Sequence, residues 1–283
     1  YMPFAQSILT TLSRKTLYLA MDATSVGRKC QALVMGVIYK KRLLPLAWLV
    51  YEGVKGHAKA EVHIQALQRL QAMIPEASKV VLVADAEYDN VEVLNWLETN
   101  TNWGYAIRTA KNVRIQYTSE ENWYEEKLEK ALAVEKDELV SMDGVRLTRK
   151  GYGPVMVVGT WDSKYEAPIY LVSNLNCALL AESSYLRRFT IETLFSDQKG
   201  RGFGIDKSHI SKPERLERLL LAVCLAYIWM IYFGILVLKE KKWDLIDHTR
   251  QDKSLFRLGM DWLDRSLNLG LSFRAIFHIR GVM

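Results

Sequence analysis

The chain has 283 residues, of which 49% are hydrophobic and 25% charged, a composition typical of a soluble globular protein with one large domain or two medium ones. Its three cysteines are odd in number, far apart and without C-x-x-C spacing. That pattern argues against a disulfide scaffold or a zinc site and favours a reducing compartment.

The net charge of +6 is distributed unevenly along the chain. Residues 119–138 hold eight acidic and three basic residues, a local charge of −5, which leaves +11 on the remainder. A basic excess of this size points to a polyanionic partner such as nucleic acid.

The first part of the sequence predicts a strand meander followed by alternating helices and strands. "TLYLAMDAT" reads as a strand, and two more strands flank the basic turn at Lys40, so residues 16–52 form an antiparallel meander. Apolar spacing predicts a helix over 57–74. A buried strand that closes at Asp85, a short helix "NVEVLNWLETN" and a strand "WGYAIRT" follow. This order predicts a mixed sheet flanked by helices.

The middle of the chain changes character. Two or three predicted strands follow the acidic stretch 119–138, with turn signals at Asp143-Gly144 and Asp162-Ser163, so we predict a β-rich insertion over 110–168. A helical tail follows from about residue 181.

One uncharged run of twenty residues, 219–238, is long enough to cross a membrane. Against a span, Tyr227, Trp229 and Tyr232 lie at its middle rather than at its edges. We predict a helix buried in the core of a soluble protein. A membrane protein is the alternative, and fractionation would separate the two.

Two acidic residues, Asp22 and Asp85, stand where apolar strands end, which is where open sheets usually bind ligands. With Glu192 they could hold two Mg²⁺ ions about 4 Å apart, the arrangement used in phosphodiester chemistry. The alternative for either aspartate alone is that it only caps a turn.

The segment "YLRRFTIETLFSDQKGRGF" (185–203) places Tyr185, Arg188, Glu192 and Lys199 at offsets of 3, 7 and 14. On one continuous α-helix these side chains would share an arc of roughly 60°. Two cations and a phenol around one carboxylate predict a face that binds phosphate.

These residues resemble the DDE insertion-sequence transposases of the IS-four type, whose mark is Y-x-x-R-x-x-x-E-x-x-x-x-x-x-K. "AMDAT" and "VADAEYDN" look like that family's two aspartate segments, and the resemblance covers about 16 to 240. It implies an α/β fold, an RNase H-like mixed sheet flanked by helices and interrupted by a β-rich insertion before the glutamate helix. The implied division is 1–109 for the first part of the catalytic core, 110–168 for the insertion, and 169–283 for the second part with a helical C-terminal region.

The resemblance also implies roles for individual residues. Asp22, Asp85 and Glu192 would be the catalytic residues and would bind two Mg²⁺ ions, for which Mn²⁺ could substitute. The residues implied in DNA binding are the signature side chains, two lysines of a basic cluster and a base-stacking tryptophan: Tyr185, Arg188, Lys199, Lys207, Lys212 and Trp161.

The implied activity is metal-dependent cleavage at transposon ends, through a DNA hairpin in some members, and strand transfer into target DNA. The implied partners are double-stranded DNA, both terminal inverted repeats and target, and a second copy of the chain in a synaptic homodimer, with no membrane. The implied location is the bacterial cytoplasm, at the nucleoid.

The sequence departs from the family at two places. Phe189 stands where some members carry a tryptophan that holds a flipped base. Only 21 residues precede Asp22, so we expect most of the family's N-terminal DNA-binding region to be missing. Two further alternatives are an RNase H-like nuclease or resolvase and a catalytically inactive, transposon-derived DNA-binding remnant.

Overall fold

The computed structural model describes residues 1–13, 15–54, 56–246 and 252–272. The strands are β1 (Leu17–Val26), β2 (Cys30–Tyr39), β3 (Arg42–Glu52), β4 (Val80–Ala84), β5 (Gly104–Thr109), β6 (Arg114–Ser119), β7 (Asn122–Lys127), β8 (Leu139–Leu147), β9 (Tyr152–Thr160) and β10 (Ile169–Ser173). The α-helices are α1 (Met2–Leu12), α2 (Ala60–Gln71), α3 (Val91–Asn100), α4 (Leu128–Ala131), α5 (Ala178–Leu186), α6 (Thr190–Gln198), α7 (Pro213–Lys239) and α8 (Leu255–Asn268).

The strands form one sheet in the order β3-β2-β1-β4-β5-β10-β9-β8-β6-β7. β1 is antiparallel to β2 and parallel to β4, and β4 is parallel to β5. The predicted succession of three strands, helix, strand, helix and strand is confirmed, as is the mixed sheet flanked by helices. β2 and β4 are buried over nearly their whole length, which explains why their sequences are continuous apolar runs.

The helix predicted over 57–74 is shorter in the structure. α2 begins at Ala60, after the extended residue Lys59, and ends at Gln71. Residues of the apolar spacing that predicted this helix form its core face, since Ala66, Leu67 and Leu70 are buried.

Residues 110–168 contribute β6, β7, β8 and β9 and the short helix α4. These strands continue the main sheet beyond β10, and β7 is its edge. We expected the strands to follow the acidic stretch, but β7 lies inside that stretch. An edge strand exposes its side chains to water and so tolerates charged residues. The predicted boundaries of the insertion and of the two core parts remain predictions, and residues 247–251 and 273–283 of the last part lie outside the described residues.

The apolar run lies within α7, the one helix among the described residues with the length and hydropathy of a membrane span. α7 packs against β3 and α8, and 56% of its most apolar window is buried. A Cβ added to Gly234 would lie 2.1 Å from the carbonyl oxygen of Leu255, so the two helices approach closely at this glycine. Such packing is that of a core helix.

Candidate active site

Asp22 and Asp85 lie side by side on neighbouring strands. β1 and β4 are parallel, and Met21 of β1 is the register partner of Ala84 of β4. The residue that follows each of these two is an aspartate, Asp22 and Asp85. Adjacent strands are about 4.8 Å apart, which brings the two aspartates together although 63 positions separate them. Asp85 stands at the end of β4, as predicted, whereas β1 continues four residues beyond Asp22.

The two carboxylates differ in exposure. The Asp22 residue is 5% exposed, and its Oδ1 accepts a hydrogen bond from the backbone N–H of Ala23 at 2.7 Å. The Asp85 side chain is 35% exposed, and its Oδ1 accepts from the N–H of Ala86 at 2.9 Å. Asp85 thereby caps the 3₁₀ turn Ala86–Tyr88.

Arg188 connects Asp22 to Glu192. Its Nη1 lies 3.4 Å from Asp22 Oδ2, and its Nη2 lies 3.2 Å from Glu192 Oε1. The Arg188 side chain is 4% exposed and the Glu192 side chain 56% exposed. Burial lowers the pKa of this guanidinium, whereas Tyr185, Asp85 and Asp22 act in the opposite direction and leave that pKa above its ordinary value. The cation therefore lies within the field of all three carboxylates.

Three of the four signature side chains follow one helical face, as expected, because Arg188 contacts both Tyr185 and Glu192. Lys199 lies beyond that face, since α6 ends at Gln198. α5 ends at Leu186, a 3₁₀ turn covers Arg187–Phe189, and α6 begins at Thr190. Along this face Arg188 is buried and reaches Asp22, whereas Glu192 on α6 is exposed.

Tyr185 lies beneath Arg188 and is 1% exposed. Its ring centroid is 5.5 Å from the guanidinium carbon, and its hydroxyl forms no hydrogen bond of normal geometry with any described residue. Burial is the main reason why the pKa of Tyr185 is raised. In this arrangement the phenol supports the arginine and does not face solvent.

The remaining predicted DNA-binding residues lie on separate elements, and they are Lys199, Lys207, Lys212 and Trp161. Lys199 follows the last residue of α6. Lys207 and Lys212 are exposed on either side of a loop that contacts the β1–β2 turn, where the N–H of Arg28 donates to the Ile210 carbonyl at 2.8 Å.

Trp161 directly follows β9, whose end lies at the same edge of the sheet as Asp85 but three strands away, about 14 Å across. Its indole N–H donates to the Tyr165 carbonyl at 3.0 Å, within its own loop. The structure therefore does not bring Trp161 into contact with the carboxylates.

Two groups near the carboxylates were not found from the sequence. Arg108 on β5 places Nη1 3.6 Å from Asp85 Oδ1, and a charged residue inside an apolar strand was the available signal. On α2, His63 is 2% exposed, with Nε2 3.8 Å from Oε1 of Glu87, in the turn that follows Asp85. No sequence signal pairs a residue of α2 with the loop after β4.

The donor chemistry fits a hard divalent cation, because Asp22, Asp85 and Glu192 offer carboxylate oxygens. Within the described residues, however, no three acidic, histidine or cysteine side chains already converge on one point that could hold a metal. The guanidinium of Arg188 stands between Asp22 and Glu192 and takes the position that a shared cation would need.

A family model described as "Transposase DDE domain" matches residues 18–229, a span that includes all three carboxylates. The chain belongs to this family. DDE transposases generally use divalent metals, in line with a donor set made of carboxylates. The narrower assignment to the Y-R-E-K subgroup stays a prediction, as do the individual roles of the site residues.

Similarity to solved structures is distant. A piggyBac transposase synaptic complex with hairpin DNA is 11% identical with a TM-score of 0.47, and the match covers 93% of this chain and 56% of that chain. Endonuclease V of Ciona intestinalis, in complex with a 24mer DNA, is 14% identical with a TM-score of 0.31, covering 78% of this chain and 95% of that one. The catalytic domain of human Endonuclease V is 12% identical with a TM-score of 0.32, covering 79% and 96%. No curated protein matches the chain.

Proposed function

We propose that this DDE domain catalyses metal-dependent cleavage of DNA at transposon ends and transfer of the cleaved strand into target DNA. The observation that carries the proposal is the side-by-side placement of Asp22 and Asp85 on parallel strands, with Glu192 joined to Asp22 through Arg188. Three neighbouring acidic side chains in a protein with a net charge of +6 suit a reaction at a phosphodiester.

The three carboxylates would hold two Mg²⁺ ions, or Mn²⁺ in their place. When bound, the ions activate the attacking oxygen and stabilise the leaving oxygen. Asp22 supplies a buried and fixed carboxylate, whereas Asp85 and Glu192 supply carboxylates that solvent and substrate can reach. The exposed pair leaves the site open on the side from which DNA would approach.

Arg188 would neutralise the carboxylates until DNA and metal are present. Its guanidinium is held by two carboxylates, so a contact with the scissile phosphate requires the side chain to leave at least one of them. Lys199, Lys207 and Lys212 would contact phosphates beside the site, and Trp161 would stack on an exposed base if a DNA hairpin forms.

The partners would be double-stranded terminal repeats and target DNA. A second copy of the chain would complete a synaptic homodimer, and the bacterial nucleoid would be the place of action.

Glu192→Gln tests the proposal. The substitution keeps the side-chain shape but removes one charge that binds metal, so nicking and joining of a plasmid with the element's terminal repeats should fall by about 10³-fold or more. DNA affinity, measured by fluorescence anisotropy, should stay within about twofold of wild type, because metal contributes mainly in the transition state.

Glu92→Gln is the matched control. Glu92 also lies in the first turn of a helix, is 57% exposed and pairs with one cation, Lys150, at 3.6 Å. This variant should cleave as wild type does. If Glu192→Gln cleaved within about tenfold of wild type, the assignment of the three carboxylates would be wrong.

The same assay separates the alternatives. A nuclease or resolvase would cut the repeats without joining them to target DNA. An inactive remnant would bind DNA but would show no metal-dependent nicking even with its wild-type sequence.

A further inference from the structure

A cationic groove lies at the start of β1, four residues before Asp22. It is a cavity of about 470 Å³ between the end of α1, the start of β1, the β2–β3 turn and the 3₁₀ turn at Arg187. Its polar lining consists mainly of two tyrosines and three cations, Lys15, Tyr18, Tyr39, Lys40 and Arg187. We call it the Tyr18 groove.

The groove carries uncompensated positive charge. None of the described residues that line it is acidic, and Lys15, Lys40 and Arg187 form no ion pair with a described carboxylate. All three cations belong to exposed residues, whereas Arg188, the next residue along, is buried against two carboxylates. Of these two adjacent arginines, Arg188 therefore contacts the carboxylates and Arg187 lines the groove.

The tyrosines fix where the cations lie. The guanidinium carbon of Arg187 is 4.4 Å from the ring centroid of Tyr18, and Lys40 Nζ is 5.3 Å from that of Tyr39. A guanidinium held on an aromatic face keeps its N–H edge available for acceptors, and its planar fork matches the oxygens of a phosphate.

β1 connects the groove to the active site. Side chains alternate along a strand, so Tyr18 and Asp22 project from the same face of the sheet. Four residues of strand span about 13 Å. The axial rise of B-DNA is about 3.4 Å per base pair, so this distance corresponds to about four base pairs.

We propose that the Tyr18 groove binds backbone phosphates of the DNA about four base pairs from the bond that is cleaved. The inference rests on the proposed function, because it takes Asp22 as part of the cleaving centre. Arg187 and Lys40 contact the phosphates, and Tyr18 and Tyr39 hold the two cations in position.

The test is the salt dependence of DNA affinity, measured by fluorescence anisotropy on a labelled duplex that carries one terminal repeat. Arg187→Ala and Lys40→Ala should each lower the slope of log affinity against log salt by about one, because each removes one phosphate contact. Arg187→Lys keeps the charge and should retain most of the slope. Lys130→Ala is the matched control, since Lys130 is exposed, lies outside the groove and belongs to α4, beside the acidic edge strand β7.

A second arm locates the contact on the DNA. Neutral methylphosphonates about four base pairs from the cleaved bond should lower the slope for wild type and should cause a smaller further loss for Arg187→Ala, which retains only the Lys40 contact. Equal slopes for wild type, Arg187→Ala and Lys40→Ala would overturn the proposal. An equal loss for Lys130→Ala would also overturn it, because it would mean general attraction. If Arg187→Ala weakened binding of free deoxynucleotide monophosphate but left the duplex slope unchanged, the groove would be a small-molecule site instead.

Failure of this inference can be told apart from failure of the proposed function. Unchanged slopes together with loss of cleavage in Glu192→Gln would refute the groove alone. Lowered slopes together with normal cleavage in Glu192→Gln would refute the cleaving centre and leave a DNA-binding groove. Thermal unfolding of each variant checks that the fold is intact, and Lys40→Gln replaces Lys40→Ala if the latter unfolds.

Discussion

Asp22 and Asp85 occupy equivalent places on neighbouring parallel strands and yet lie in opposite environments. Asp22 is buried and pairs with Arg188, whose side chain is 4% exposed, whereas Asp85 is 35% exposed and pairs with Arg108, which is 44% exposed. Breaking a buried ion pair leaves a charge without solvent, whereas breaking an exposed one returns both charges to water. Asp22 is therefore tied to the stability of the fold, whereas Asp85 contributes little to it.

The largest expected effect comes from replacing the two aspartates separately. Asp22→Asn and Asp85→Asn should each reduce cleavage by several orders of magnitude, because each removes a carboxylate charge that would bind metal. Asp22→Asn should also lower the free energy of unfolding by about 3 kcal/mol, since it leaves Arg188 buried with one partner fewer. Asp85→Asn should lower it by less than about 1 kcal/mol.

Urea unfolding of both variants, next to the nicking assay, measures this difference. Equal losses of stability would show that the burial of the Asp22–Arg188 pair carries no energetic weight. The comparison between the two aspartates would then fail.

Replacing the two paired arginines should also lower the free energy of unfolding, by less than replacing Asp22. Arg188→Gln should cost about 2 kcal/mol of stability at neutral pH because Asp22 loses its buried cation, whereas Arg108→Gln should cost less than about 1 kcal/mol. Mg²⁺ should stabilise Arg188→Gln more than wild type, since no guanidinium then competes for Asp22 and Glu192. Melting temperatures with and without Mg²⁺ test this, and an equal increase in both proteins would contradict it.

The smallest effect concerns Asp89, a half-buried aspartate near Asp85 for which no ion pair with a described residue is found. Burial raises the pKa of Asp89 despite hydrogen bonds from Thr109 Oγ1, at 2.7 Å, and from the backbone of Ala110. The folded pKa lies above the unfolded value, so this contribution to stability is complete below about pH 3.9 and is lost as the pH rises through the folded pKa.

Asp89→Asn should remove this loss of stability with rising pH, because asparagine does not titrate. The free energy of unfolding of wild type should therefore fall relative to the variant as the pH rises through this window, by at most about 1.4 kcal/mol per pH unit for one proton. Melting temperatures from about pH 4 to pH 7 measure the difference. A constant offset between the two proteins would show that Asp89 does not titrate differently in the folded state.

The sheet could be predicted because its signals are local. The strand at 16–24 and the buried strand that closes at Asp85 contain apolar runs that report burial directly, and two parallel strands bring their aspartates to one place. The prediction did not include the continuation of β1 to Val26, because Ser25 and Thr24 interrupt the apolar run without ending the ladder with β2.

The signature segment could not be predicted in the same way. Its spacing fits one helix, but Arg188 pairs with Asp22 across 166 positions, and periodicity contains no information about such a contact. The 3₁₀ turn that carries Arg188 contains no glycine or proline that would predict it, since its residues are Arg187, Arg188 and Phe189. The pairing of Arg108 with Asp85 likewise depends on the register of β4 with β5.

The acidic edge strand β7 has a consequence for how the domain meets a polyanion. It lies seven strand positions from β1, about 34 Å across the sheet, and the stretch 119–138 that contains it carries −5 while the remainder carries +11. Negative charge is therefore concentrated at this edge of the sheet. At physiological ionic strength its field acts only within about 8 Å, so in the proposed encounter with DNA it would rotate the molecule only at close approach. Repulsion at β7 would turn the opposite end of the sheet toward the duplex before any side chain touches it.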